Sequence, residues 1–147
     1  MKITQKWLSD KNACSEGVDW FAGCGETSSF KVLAKLRSEK HWSWFNWLIV
    51  RLMDKPQRVR YAIFAAQQAL PIFEKRRPND DRPRKAIEAA QNWVEHQTEE
   101  NRNAATSAAD AADYADAADA ADAASASAAR NIIADYGIKI LKEKKLA

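Results

Sequence analysis

The sequence predicts an all-α fold, a single bundle of about five to seven helices over residues 1–147, with a long alanine-rich helix near the C-terminus. Three observations carry this. Only four Gly and four Pro occur, too few for the regular turn punctuation of a β-sandwich or barrel. Apolar residues recur at intervals of three and four through most of the chain, the spacing of one helix face. The segment from about Thr98 to Tyr136 is dominated by alanine. An apolar share of 46% with charges of mixed sign excludes a disordered chain, and this length can bury a core without disulfides or metal.

Taken in order, Ile3, Trp7 and Leu8, then Val18, Trp20 and Phe21, form two apolar clusters around a polar stretch, which fits one or two short helices. Gly23-Cys24-Gly25 breaks that pattern. Ser28 or Ser29 can then cap a helix ending near Ser38, with Phe30, Leu33, Ala34 and Arg37 on one face. From His41 to Met53 the chain is apolar nearly all round. Trp42, Phe45, Ile49 and Leu52 share one face, and Trp44, Trp47 and Leu48 the other, the pattern of a central helix. On the second face Trp44 and Trp47 flank Arg51, a combination typical of partner-binding hot spots.

Asp54-Lys55-Pro56 reads as a helix start. Val59, Ile63, Ala66, Leu70 and Phe73 continue it as an amphipathic helix of about five turns. Pro71 is expected to bend that helix or end it about a turn early, since its ring opposes the Gln67 carbonyl. Residues 76–84 form a loop, in which Asp80 or Asp81 ahead of Pro83 marks the next N-terminus. Helix resumes through Ala86, Ile87, Ala90, Trp93 and Val94. The alanine-rich segment would reach roughly 58 Å if unbroken, so a break near Asn101–Asn103 or a projecting end is expected. Gly137 is its natural terminator, and 138–147 reads as a basic tail with at most one further turn.

Asp110, Asp113, Asp116, Asp119 and Asp122 recur every three residues, so each lies about 60° behind the last and the row winds round its helix. Ala104, Ala108, Ala111, Ala115 and Ala118 share a narrow sector that would admit a close helix neighbour. The row is either the solvated back of that packing helix or a contact surface imitating nucleic-acid phosphates or meeting a basic target.

Charge is uneven: residues 1–97 hold 17 Lys and Arg against 11 Asp and Glu, and 98–147 hold 6 against 9. A net +3 falls short of the basic footprint of a nucleic-acid binder. Cys14 and Cys24 make no CxxC motif and are read as reduced thiols. No signal peptide or spanning apolar run is present, so the expected address is the cytoplasm, off the membrane.

No phosphate-binding loop, dinucleotide fingerprint, zinc-protease helix, nucleophile elbow or EF-hand loop occurs. His41 and His96 are lone histidines, read as structural or surface residues, so neither metal nor cofactor is expected. Glu74, Asp80, Asp81, Arg82, Arg84 and Glu88 are dense enough to compare with an acid–base site. Interleaved arginines, however, keep carboxylates ionised, which favours a salt-bridged loop.

Pro71-Ile72-Phe73-Glu74 through Arg82-Pro83-Arg84-Lys85-Ala86-Ile87-Glu88-Ala89-Ala90, followed by Trp93 and an alanine-rich helix, resembles a bacterial and phage family of immunity proteins linked to polymorphic toxin systems. The resemblance covers roughly residues 45–135, and the RPRKAIEAA run is its most specific part. It implicates Glu74, Asp81, Arg82, Pro83, Arg84 and Glu88 as a shared signature. The regular Asp row and the tryptophan-rich opening depart from that pattern.

The expected function is to bind and neutralise another protein, a toxin or, for a viral gene, a host defence component. Trp44 or Trp47 would be the apolar anchor. Two alternatives stand beside it: an acidic nucleic-acid mimic using Asp110–Asp122, and a small enzyme or ligand binder using the Glu74–Glu88 region. A homodimer through the alanine stripe or the second tryptophan face is equally compatible with the sequence.

Overall fold

The computed structural model describes residues 1–103 and 123–143, with side chains from residue 128 onward in the second stretch. Seven helices are defined among them: α1 (Gln5–Asp10), α2 (Ser15–Gly23), α3 (Ser29–Ser38), α4 (Trp42–Leu52), α5 (Lys55–Arg76), α6 (Arg82–Glu95) and α7 (Ala123–Lys142). The all-α expectation holds among the described residues, where the one β feature is an isolated bridge between Lys2 and Ser28. The residues expected to form one domain group into two compact units, Met1–Leu52 and Met53–Ala147.

In the first unit α1 packs with α2, and α3 with α4. Helices α1 and α3 end alike. Asn12 and Lys40 adopt left-handed backbone conformations, φ 57° and 62°. The next N–H groups reach back five residues, Ala13 to Leu8 at 3.0 Å and His41 to Leu36 at 2.9 Å. These are Schellman closures built on non-glycine residues; Asn suits that position, whereas Lys carries a Cβ penalty there. Ile3 is fully buried, and its N–H donates to the Thr27 carbonyl at 2.8 Å.

Helix α3 corrects its expected face. Ser29, Val32, Leu33 and Leu36 are buried, while Phe30 is 37% exposed and Ala34 is exposed. The true stripe lies about 100° round from the expected one, one residue step. Two overlapping stripes fit so short a helix, and packing selects between them. In α4 the buried residues are Phe45, Leu48, Ile49 and Leu52, with Trp42, Trp44 and Trp47 only half-buried.

The second unit is organised by α5, which packs against both α6 and α7. Asp54 caps it in a reciprocal box with Gln57, the carboxylate accepting the Gln57 N–H at 2.9 Å and the Gln57 amide oxygen accepting the Asp54 N–H at 3.1 Å. Because α5 has neighbours on two sides, the apolar stripe from Val59 to Phe73 is only one of its faces. Gln57, Arg60, Tyr61 and Phe64, spaced as i, i+3, i+4 and i+7, form another toward α7. There the Gln57 amide donates to the Ile140 carbonyl at 2.7 Å. Arg60 donates to the Glu143 carboxylate, also at 2.7 Å, and Phe64 stacks on Tyr136 with centroids 4.0 Å apart.

Two expected helix ends do not occur. Helix α5 continues through Pro71 to Arg76 although an interior proline costs about 3 kcal/mol. Beyond it Phe73 is buried, 4% exposed, and Glu74 is tied to Arg84. Helix α7 likewise passes through Gly137 to Lys142, so 138–142 is helix and not tail. A mid-helix glycine costs about 1 kcal/mol, which the complete burial of Ile140 and the Gln57 and Arg60 contacts to this last turn offset. Residues 99–103 are helical, opened by the Thr98 hydroxyl accepting the Asn101 N–H at 3.2 Å. The break expected near Asn101–Asn103 therefore does not fall within those three residues, while the alanine stripe of residues 104–118 lies outside the described residues.

Candidate functional site

The first unit holds an apolar pocket of about 360 Å³, at the small end of the roughly 300–1,000 Å³ usual for ligand sites. Leu8, Phe21, Val32, Leu36 and Leu48 supply its apolar lining, and Trp20, Trp44 and Trp47 its aromatic lining. The Schellman turn after α1 brings Asn12, Ala13 and Cys14 to it, and α4 adds Ser43. Gly17 keeps one side open. A Cβ there would lie 3.3 Å from the Cys14 sulfur and 3.9 Å from Trp44, so any larger residue would intrude beside the indole.

The tryptophans are held from behind by polar and ring contacts. Trp20 Nε1 donates to the Glu39 carboxylate at 2.7 Å, and His41 Nε2 lies 3.5 Å from the same carboxylate. His41 stacks on Trp44 with centroids 4.6 Å apart and planes at 26°, while Trp20 meets it edge-on at 5.9 Å. Trp20 and Trp44 are themselves 6.1 Å apart. Arg51 caps the other end of the row. Its guanidinium carbon is 3.9 Å from the Trp47 ring centroid, and Nη1 donates to the Trp47 carbonyl at 3.2 Å. Such a cation–π contact contributes about 0.5–1 kcal/mol at an exposed position. More usefully, it fixes both side chains in one geometry.

Trp44, Trp47 and Arg51, singled out by helix spacing, therefore do share one face. Trp20, Glu39, His41, Asn12 and Cys14 join them only through tertiary folding, since they come from other elements. The free thiols differ: Cys14 is exposed and Cys24 buried.

The second cluster behaves otherwise. Arg84 binds Glu74 through two parallel hydrogen bonds, 2.8 and 2.9 Å. Arg82 pairs with Asp80, and Lys85 with Asp81 at 2.7 Å. Asp80, not Asp81, accepts the α6 N-terminal N–H of Arg82, at 3.2 Å. The Arg82 guanidinium pushes the Asp80 carboxyl down to about 2, opposite to the raised value a general acid needs. Glu88 lies exposed on α6, where its charge helps hold Lys85 protonated. Pro83, in the first turn of α6, leaves no N–H to satisfy. The signature residues are thus a salt-bridged helix entry.

Asp110, Asp113, Asp116, Asp119 and Asp122 lie outside the described residues. His96 ends α6 as an exposed C-cap residue. Among the described residues no group of three His, Cys, Asp or Glu is placed to hold a metal ion, and no helix is long and apolar enough to cross a membrane. A family model described as a family of unknown function (DUF6931) matches residues 32–136. No curated protein and no solved structure matches the chain.

Proposed function

The chain belongs to that family of unknown function, which brings no activity with it, and we propose from the site itself that this is a protein-binding inhibitor of the immunity kind. One observation carries the reading: Trp44 and Trp47 stand half-buried beside an open apolar pocket, with Arg51 fixed on Trp47. Half-buried tryptophans at a pocket with an exposed arginine fixed beside them are the composition of interface hot spots, where a few residues supply most of the affinity. The resemblance of residues 71–90 to immunity proteins supplies the class, neutralisation of a toxin or, in a viral setting, of a host defence component. The reading places the protein in the cytoplasm.

The test is affinity capture from lysate of the native host, followed by purification of the captured protein and titration against wild type and Trp47→Ala. A stoichiometric partner that binds about 30-fold more weakly to the variant, equivalent to roughly 2 kcal/mol, and whose toxicity on expression is relieved by this chain, is expected. Equal binding to both proteins would remove the tryptophan face from the interface. Retention of further copies of the chain alone would make that face a homodimer contact.

A further inference from the structure

Resting on that reading, we infer that the pocket takes a bulky apolar side chain of the partner and that Arg51 pairs with a carboxylate close to it in the partner's sequence. The lining explains the first half, since three indoles and five aliphatic or aromatic side chains dominate it, and its polar side chains, Asn12 and Ser43, are exposed positions at the rim. The second half follows from Arg51. It is exposed, one of its N–H groups is used by the Trp47 carbonyl, and it has no carboxylate partner among the described residues. A guanidinium has five donors in a planar fork suited to a carboxylate. The Trp47 stack already restrains that fork, so pairing costs less side-chain freedom than it would for a mobile arginine.

Position links the two halves. Trp47 both lines the pocket and carries Arg51 on its ring. A side chain packed against that indole lies roughly 7 Å from the guanidinium, about two residues of extended chain. At the rim, the Asn12 amide and Ser43 hydroxyl have no hydrogen-bond partner among the described residues, and they are placed to meet the intervening backbone. The recognised element is therefore a short segment pairing a large apolar residue with Asp or Glu within about three positions.

Selection of a random-peptide phage library on the immobilised full chain tests this. Enriched sequences should share that pairing. A resynthesised peptide should bind at least about tenfold more weakly to Arg51→Gln and not at all to Ser43→Trp, which fills the pocket from its exposed rim without removing a core atom. Unchanged circular dichroism would show both variants folded. The peptide should also slow alkylation of Cys14 by iodoacetamide in the native protein. Enriched peptides without an acid, or binding within about twofold on Arg51→Gln, would overturn the pairing while leaving the pocket as the contact. Failure to enrich any sequence blocked by Ser43→Trp would overturn the inference altogether, and the host-lysate titration would then decide separately whether a folded partner uses the tryptophan face.

Discussion

Arginine and aromatic residues are put to opposite uses in the two units. In the second, Arg60 is closed by Glu143, Arg84 by Glu74 and Arg82 by Asp80, Phe64 is covered by Tyr136, and Trp93 is 7% exposed beneath Lys55, whose ammonium is 5.0 Å from its ring centroid. In the first, Arg51 lies on Trp47 with no carboxylate partner among the described residues, and Trp20, Trp44 and Trp47 border an open pocket. Arg60, Arg82 and Arg84 are internally satisfied, whereas Arg51 keeps donors available beside the pocket. Binding capacity is thus better read from what a side chain lacks than from its type, because a paired group must lose its partner before it can gain another.

The sharpest way to break this contrast is to damage each unit where it is most committed. Ile140→Ala, at a fully buried position, should cost about 2–5 kcal/mol in urea unfolding and leave partner affinity nearly unchanged in the folded fraction. If affinity fell with it, the division of labour between the units would be wrong. Trp47→Ala should do the reverse, with a loss of roughly 2 kcal/mol in binding and a smaller loss in stability, read by titration and melting of the same sample. Gln57→Ala removes a capping box and the donor to the Ile140 carbonyl together. It should destabilise by about 1–3 kcal/mol, and a value near zero would mean that water replaces both contacts.

Two smaller effects sharpen the comparison. Lys40→Gly removes a Cβ from a left-handed position and should stabilise by about 1 kcal/mol, seen as a raised Tm. An unchanged or lowered Tm would show that no strain is stored at this closure. The smallest effect concerns Asp80. Its folded value, about 2, lies below its ordinary 3.8, so its contribution to stability is fully present above the ordinary value and fades as pH falls through about 2. Because the pair is solvent-screened, the loss should be slight. Asp80→Asn should flatten the acid limb of a melting profile in that window alone; a change near neutral pH would point to a different role for this carboxylate.

Much of the fold was legible because helices leave local marks. The Asp54 cap, the Thr98 start and the Ala86–Val94 stripe are each set by residues within a turn of one another, and the structure keeps all three. The α3 face was missed because ten residues fit two stripes equally. The α7-facing side of α5 was missed because Gln57, Arg60 and Tyr61 are not apolar, and periodicity counts only apolar residues. Gln57 and Arg60 depend on acceptors 83 residues away, the Ile140 carbonyl and the Glu143 carboxylate. Within the candidate site, spacing alone placed Trp44, Trp47 and Arg51 together, since they share α4. Trp20, Glu39 and His41 carry no such signal, as their contacts cross from α2 to the turn after α3.

What the sequence by itself determined is the all-helical class, the main helix starts, and the one helix carrying tryptophan and arginine on a common face, because each follows from interactions within a few residues. Tertiary structure decided that α5 and α7 run past their expected stops, and what remains uncovered. Pro71 and Gly137 are locally helix-breaking, yet buried Phe73 and Ile140 outweigh them. The pocket exists only where four separate helices and the turn after α1 surround a space that none of them fills.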